Sequence, residues 1–271
     1  MQLDENRIAI RQRTYLDVMD LALRVIRVYA GPLSLAFMVG VVPAMLLNAW
    51  LLADYADVDF IESGFLRYMG WMVLLVLWET PLVTAPITLY LGHALFSEHP
   101  RPAEIAREFL CSLPQMLWYQ VIGRALFVPL VITWFFPLAA WAYLSEVILL
   151  ERNPMHTRHQ GQMTTARRRQ ALHAGYVGDL FARWLGSVAV GSLLFASLWL
   201  SIWLTGGMLL NEWEWTGATF TLAFPLAFWI VVGYFAVVRF LGYLDLRIRR
   251  EGWEVELIMR AERARLMRQS T

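Results

Sequence analysis

The chain has 271 residues, 58% of them hydrophobic and 17% charged, with a mean hydropathy of +0.48; an ordinary soluble domain is about half apolar and about a quarter charged. That excess argues against a soluble globular protein. All 23 basic residues are Arg, none is Lys, and Cys111 is the single cysteine, which excludes a lysine Schiff base, a P-loop lysine, an intramolecular disulfide and a cysteine zinc cluster.

The first predicted element is an amphipathic elbow. Thr14 is a suitable N-cap, and Leu16, Met19, Leu23 and Ile26 recur on one stripe flanked by Arg24 and Arg27, as in a helix lying among inner headgroups. Span one follows at 31–52: its 22 uncharged residues rise about 33 Å as a helix, enough for the ~30 Å hydrocarbon core. It stands too far along the chain, and is too long, to read as a cleavable signal, so its retention is expected. Span two, 68–92, is interrupted only by Glu79 and contains Pro81 and Pro86. A second elbow begins at Pro102, with Ile105, Phe109 and Leu113 four residues apart. The apolar stretch 113–150 overshoots one bilayer crossing, so it divides into spans at 113–131 and 132–150, with a turn bracketed by Pro129 and Pro137.

A third elbow runs from about Thr164 through Leu172 to Phe181 and carries Arg167, Arg168 and Arg169. Spans five and six are 184–204 and 220–241, and small residues in span five, among them Gly186, Gly191 and Ser197, suit close helix packing. The tail, 244–271, continues as a helix with Trp253, Leu257 and Ala261 on one face and a break at Gly252. Its Arg247, Arg249 and Arg250, with Arg24, Arg27 and the Arg167–Arg169 triplet, are the candidates for contact with anionic lipid headgroups. The expected fold is therefore all-α: a six-span polytopic membrane domain at 31–243, with a cytoplasmic N-terminus at 1–30 and interfacial elbow helices.

Charge fixes the expected orientation. With six spans, 21 of the 23 Arg fall on the side of the two termini, whereas segments 53–67 and 205–219 hold only Arg67 against Asp54, Asp57, Asp59, Glu62, Glu212 and Glu214. Basic residues mark cytoplasmic loops, which makes both termini cytoplasmic. Trp50, Trp71, Trp134, Trp203, Trp213 and Trp215 fall near the outer interface.

Charges inside spans are the most informative positions, because each costs about 2.5–3.5 kcal/mol at a span centre. Glu79 and Arg124 sit at similar depth in spans two and three, so they are expected to form an ion pair helped by Gln120 and Thr80, with Glu146 as a second-choice partner for Arg124. The alternative puts Glu79 on a polar pathway where Pro81 and Pro86 loosen span two, as in the discontinuous helices of transporters.

Signals for enzyme chemistry are thin. His93 and His99 flank a loop, and His156 and His159 lie between Pro154 and Gly161; neither pair forms an HExxH, and the chain has no GxSxG elbow or Walker sequence. No cofactor, metal or nucleic-acid partner is expected. The three elbow-plus-hairpin units leave open whether a true repeat is present.

Several stretches together carry a resemblance: Tyr15 to Arg24 (YLDVMDLALR) leading into a span with Pro43, Leu91 to Phe96 (LGHALF), the Arg-rich segment after span four, and Tyr243 to Gly252 (YLDLRIRREG). The chain resembles a broad group of bacterial six-helix inner-membrane proteins that includes the membrane domain fused to some glycerophosphodiester phosphodiesterases. It departs from that group in lacking a Pro-Gly turn between spans three and four and a soluble phosphodiesterase barrel, so no catalytic residue carries over. The function expected is a non-enzymatic assembly or scaffold component of the envelope, with the lipid bilayer and a membrane protein or second copy as partners. A small transporter or permease-like subunit is the alternative, and a membrane-embedded enzyme the third.

Overall fold

A computed structural model describes residues 14–56, 65–95, 100–123, 143–155, 163–173, 177–211, 213 and 219–251. Ten helices are described: α1 Tyr15–Val28, α2 Ala30–Leu51, α3 Ala53–Ala56, α4 Phe65–Val83, α5 Ala85–Ala94, α6 Pro102–Met116, α7 Leu144–Glu146, α8 Thr165–His173, α9 Val177–Leu210 and α10 Phe224–Glu251. Three π-helical turns join this framework: Leu117–Ile122 extends α6, Val147–Glu151 extends α7, and Thr219–Ala223 leads into α10. No strand occurs among the described residues.

Among the described residues four helical stretches are long and apolar enough to cross a membrane: Ala30–Leu51, Leu66–Ala94, Gly178–Leu209 and Thr219–Arg249. They cover spans one, two, five and six. The turn dividing 113–150, most of spans three and four, and the tail beyond Glu251 lie outside the described residues. Span two is divided as its prolines suggest: α4 ends at Val83, α5 begins at Ala85, and Thr84 sits between them. Thr80, Thr84 and Thr88 each turn a hydroxyl back onto the carbonyl four residues earlier, at 2.7, 2.7 and 3.4 Å, a local bond that competes with straight helix. At this break α2 comes close, because a Cβ on Gly40 would collide with the Val83 carbonyl oxygen.

Two of the helices expected as elbows start where the sequence indicates. Thr14 caps α1 in a reciprocal box with Asp17, at 3.3 and 3.0 Å, and Pro102 opens α6. The third is shorter than expected. It is α8 alone, and Phe181 belongs instead to α9. The buried face of α1 also differs: Val18, Met19, Ala22 and Val25 pack with Val237, Val238 and Leu241 of α10, while Leu16 and Leu23 remain 71% and 57% exposed. Both faces of α1 are apolar, so periodicity alone does not choose between bundle and lipid.

Helix α10 is central, burying Phe224, Trp229, Phe240 and Tyr243. Gly191 of α9 admits the Phe235 ring of α10, at 3.1 Å from the position its Cβ would take, and Gly186 lies over Tyr15. Small residues thus give close helix contact where lipid removes the hydrophobic drive to associate.

Candidate functional site

The charged side chains that are most buried, Glu146, Arg183 and Asp245, gather around α7 and the second half of α10. Glu146 is fully buried, and Arg239 Nε donates to its Oε1 at 2.6 Å. Glu151 accepts from Arg168 Nε and Nη2 at 2.5 and 2.9 Å, from the Tyr243 hydroxyl at 2.6 Å, and from Asn153 Nδ2 at 3.1 Å. Arg239 and Tyr243 are four residues apart on α10 and share a face. Glu146 and Glu151 are five apart, which an α-helix at 3.6 residues per turn would leave about 140° apart. The π-helical turn Val147–Glu151 supplies the wider winding that brings both acids onto one side.

Two bulky residues with positive φ bound this segment, Tyr143 at 60° and Arg152 at 50°, a region uncommon for side chains of this size. Tyr143 fits because Gly242 faces it: a Cβ there would stand 2.7 Å from the phenol oxygen.

A second cluster adjoins on α9. Arg183 holds Asp179 at 2.9 Å and reaches Asp245 with both terminal nitrogens at 3.4 Å, while Arg249 meets Asp245 at 2.9 Å. The Arg183 guanidinium lies 5.9 Å from the centre of the Tyr15 ring, whose hydroxyl bonds Ser187 Oγ. A third cluster closes the same end: Glu108 of α6 bonds His93 at 2.8 Å and pairs with Arg152. Gln115 donates to the Asn153 carbonyl at 3.1 Å and to Thr165 Oγ1 at 2.7 Å, tying α6 to α8.

Electrostatics follows from these contacts. Burial alone would raise the Glu151 carboxyl, but hydrogen bonds from Arg168 and Tyr243 and the charges of Arg168 and Arg247 hold it below its ordinary value. Burial acts the same way on Glu108, and His93 and Arg152 overcome it. Both acids are thereby kept as anions. Within the Glu146–Arg239 pair, Glu146 Oε2 and Arg239 Nη2 have no hydrogen-bond partner among the described residues. Among those residues no three His, Cys, Asp or Glu side chains converge as a metal would require.

Of the expected Glu79–Arg124 pair only Glu79 lies among the described residues. Glu79 Oε2 accepts from Asn48 Nδ2 of α2 at 3.1 Å, and Arg124 lies outside the described residues. The expected helpers are engaged elsewhere: Thr80 bonds the Val76 carbonyl, and Gln120 donates to Ser145 at 3.0 Å. Glu146 is held by Arg239. Arg239 is the one arginine inside the apolar run 220–241, and that position is the sequence signal for a buried partner.

The proposed headgroup contacts also divide. Arg24 is exposed and pairs with Asp20 at 2.8 Å, and Arg27 and Arg167 are exposed. Arg168 and Arg249 turn inward onto Glu151 and Asp245, Arg169 is half-buried, and Arg247 lies within the field of Glu151. The Arg250 side chain lies outside the described residues.

Among the described residues, fold and site together define an all-helical protein with four helices fit to cross a membrane and ion pairs that tie α10 to α9 and to α7. Comparison with protein-family models, with curated proteins and with solved structures gives no match.

Proposed function

We propose that this chain is a non-enzymatic integral protein of a bacterial inner membrane that assembles or supports other envelope components. In this proposal six helices cross the bilayer, both termini are cytoplasmic, and the resemblance to the membrane domains fused to glycerophosphodiester phosphodiesterases reflects a shared scaffold. The observation that carries it is the internal use of charge. Glu146, Glu151, Asp245 and Glu108 each hold an arginine of the same chain, so the network supports a braced bundle more than a site for charged substrate. Lipid headgroups and a membrane-protein partner or second copy are the proposed contacts.

Purification in gentle detergent at native abundance, followed by mass spectrometry, tests this. A stoichiometric membrane-protein partner or a stable homo-oligomer is the expected result; recovery of the chain alone as a monomer overturns it. One observation favours transport as the second function: Glu79 and Asn48 meet five residues before the helix break at Thr84, and broken helices accompany intramembrane sites in transporters.

A further inference from the structure

A lateral groove of about 830 Å³ opens between α1, α2, α9 and α10. One wall is the α1 stripe Leu16, Met19, Leu23 and Ile26, of which the bundle buries Met19 and leaves Leu16 and Leu23 exposed. Leu194 and Leu198 of α9 stand opposite, with Phe37 of α2 and Tyr234 of α10 behind. The few polar groups lining it are partly engaged already: Tyr234 donates to the Met19 carbonyl at 3.2 Å and Ser201 to the Ser197 carbonyl at 2.7 Å.

Its position selects an occupant. Along α9 it runs from Val190 to Ser201, eleven steps of 1.5 Å or about 16 Å, all inside the apolar stretch Gly178–Leu209 fit to cross a membrane and so at the depth of acyl chains. Charge at its head points the same way. Arg27 is exposed with no ion pair among the described residues, next to Ile26 in the wall, while Arg24 beside Leu23 is partly neutralised by Asp20.

We propose that this groove is a binding site for a single phospholipid of the surrounding leaflet, its acyl chains held against the α1 stripe and its anionic headgroup at Arg27 and Arg24. The site goes beyond the assembly function and needs only that the protein be embedded in a bilayer.

The test uses the full chain in nanodiscs containing equal amounts of phosphatidylglycerol and phosphatidylcholine, with a photoactivatable acyl chain on one lipid at a time. The wild-type protein is expected to crosslink within 16–26 and 190–201, more strongly with phosphatidylglycerol, and to keep that lipid as a single adduct in native mass spectrometry. Arg27→Gln should lower the preference for phosphatidylglycerol about fivefold, the effect of one basic residue near the surface. Asp20→Asn, which releases Arg24, should raise it. Ser197→Phe, on an exposed groove position, should remove the adduct. Crosslinks spread evenly over exposed apolar residues, including Leu46 and Leu209, would overturn the proposal, as would a polypeptide crosslinked in the groove. The wild-type lipid comparison decides even if a variant fails to fold, and a missing protein partner leaves this result unaffected.

Discussion

Removing Arg239 should cost more stability than removing Glu146, although the two form one ion pair. Glu146 is 0% exposed and Arg239 is 28% exposed, with 2.6 Å between Nε and Oε1. Arg239→Met strands a carboxylate with no route to water, and breaking a buried pair in this way costs about 3–5 kcal/mol, in line with the ~2.5–3.5 kcal/mol for a charge at a span centre. Glu146→Gln leaves a partly exposed guanidinium on a long stem that can reach toward the interface, so its cost should be nearer the 1–3 kcal/mol of a lost charged hydrogen bond. Replacing both by Leu removes the buried charge altogether and should recover most of the loss. Equilibrium unfolding of detergent-solubilised protein, followed by tryptophan fluorescence and arranged as a double-mutant cycle, reads all three values. A coupling energy under about 1 kcal/mol, or a Glu146 variant less stable than the Arg239 variant, would refute the pairing argument.

Glu151 gives a pH-dependent prediction. Its folded-state pKa is depressed by Arg168 and Tyr243 against the effect of burial, so its stabilisation is complete above the ordinary carboxylate pKa and is lost as pH falls through the folded value. The gap in Tm between wild type and Glu151→Gln should therefore be largest near neutrality and close on acidification below about pH 4; a gap constant down to pH 3 contradicts it. At the helix break, Gly40→Ala should destabilise by about 1–3 kcal/mol, because the new methyl meets the Val83 backbone. Gly31→Ala in the same helix meets nothing within 4 Å and should be neutral or gain up to about 1 kcal/mol of helix propensity. Equal thermal shifts for the two glycine variants would refute the close approach.

Local signals were the legible part of this fold. The Thr14 cap, Pro102 at the start of α6 and the interruption of span two by Pro81 and Pro86 depend on neighbours within a turn or two, so their geometry is written in adjacent residues. The ionic ladder was not legible, for two physical reasons. A 3.6-residue period puts Glu146 and Glu151 on different faces, and only the π-helical turn aligns them. Counting arginines as markers of topology also treats each as belonging to a loop, which hid Arg239 inside an apolar stretch. The α1 stripe is apolar, yet in a bilayer an apolar face serves equally for bundle or lipid, and packing against α10 selects Val18, Ala22 and Val25.

The central claim, a membrane bundle with its arginine-rich end in the cytoplasm, is tested most directly by cysteine accessibility in intact cells. With the exposed Cys111 replaced by Ser, a cysteine at Asp57 should react with a membrane-impermeant maleimide from outside. A cysteine at the exposed Arg167 should react only after the membrane is opened. Labelling of both positions in intact cells, or of Arg167 alone, would contradict the account.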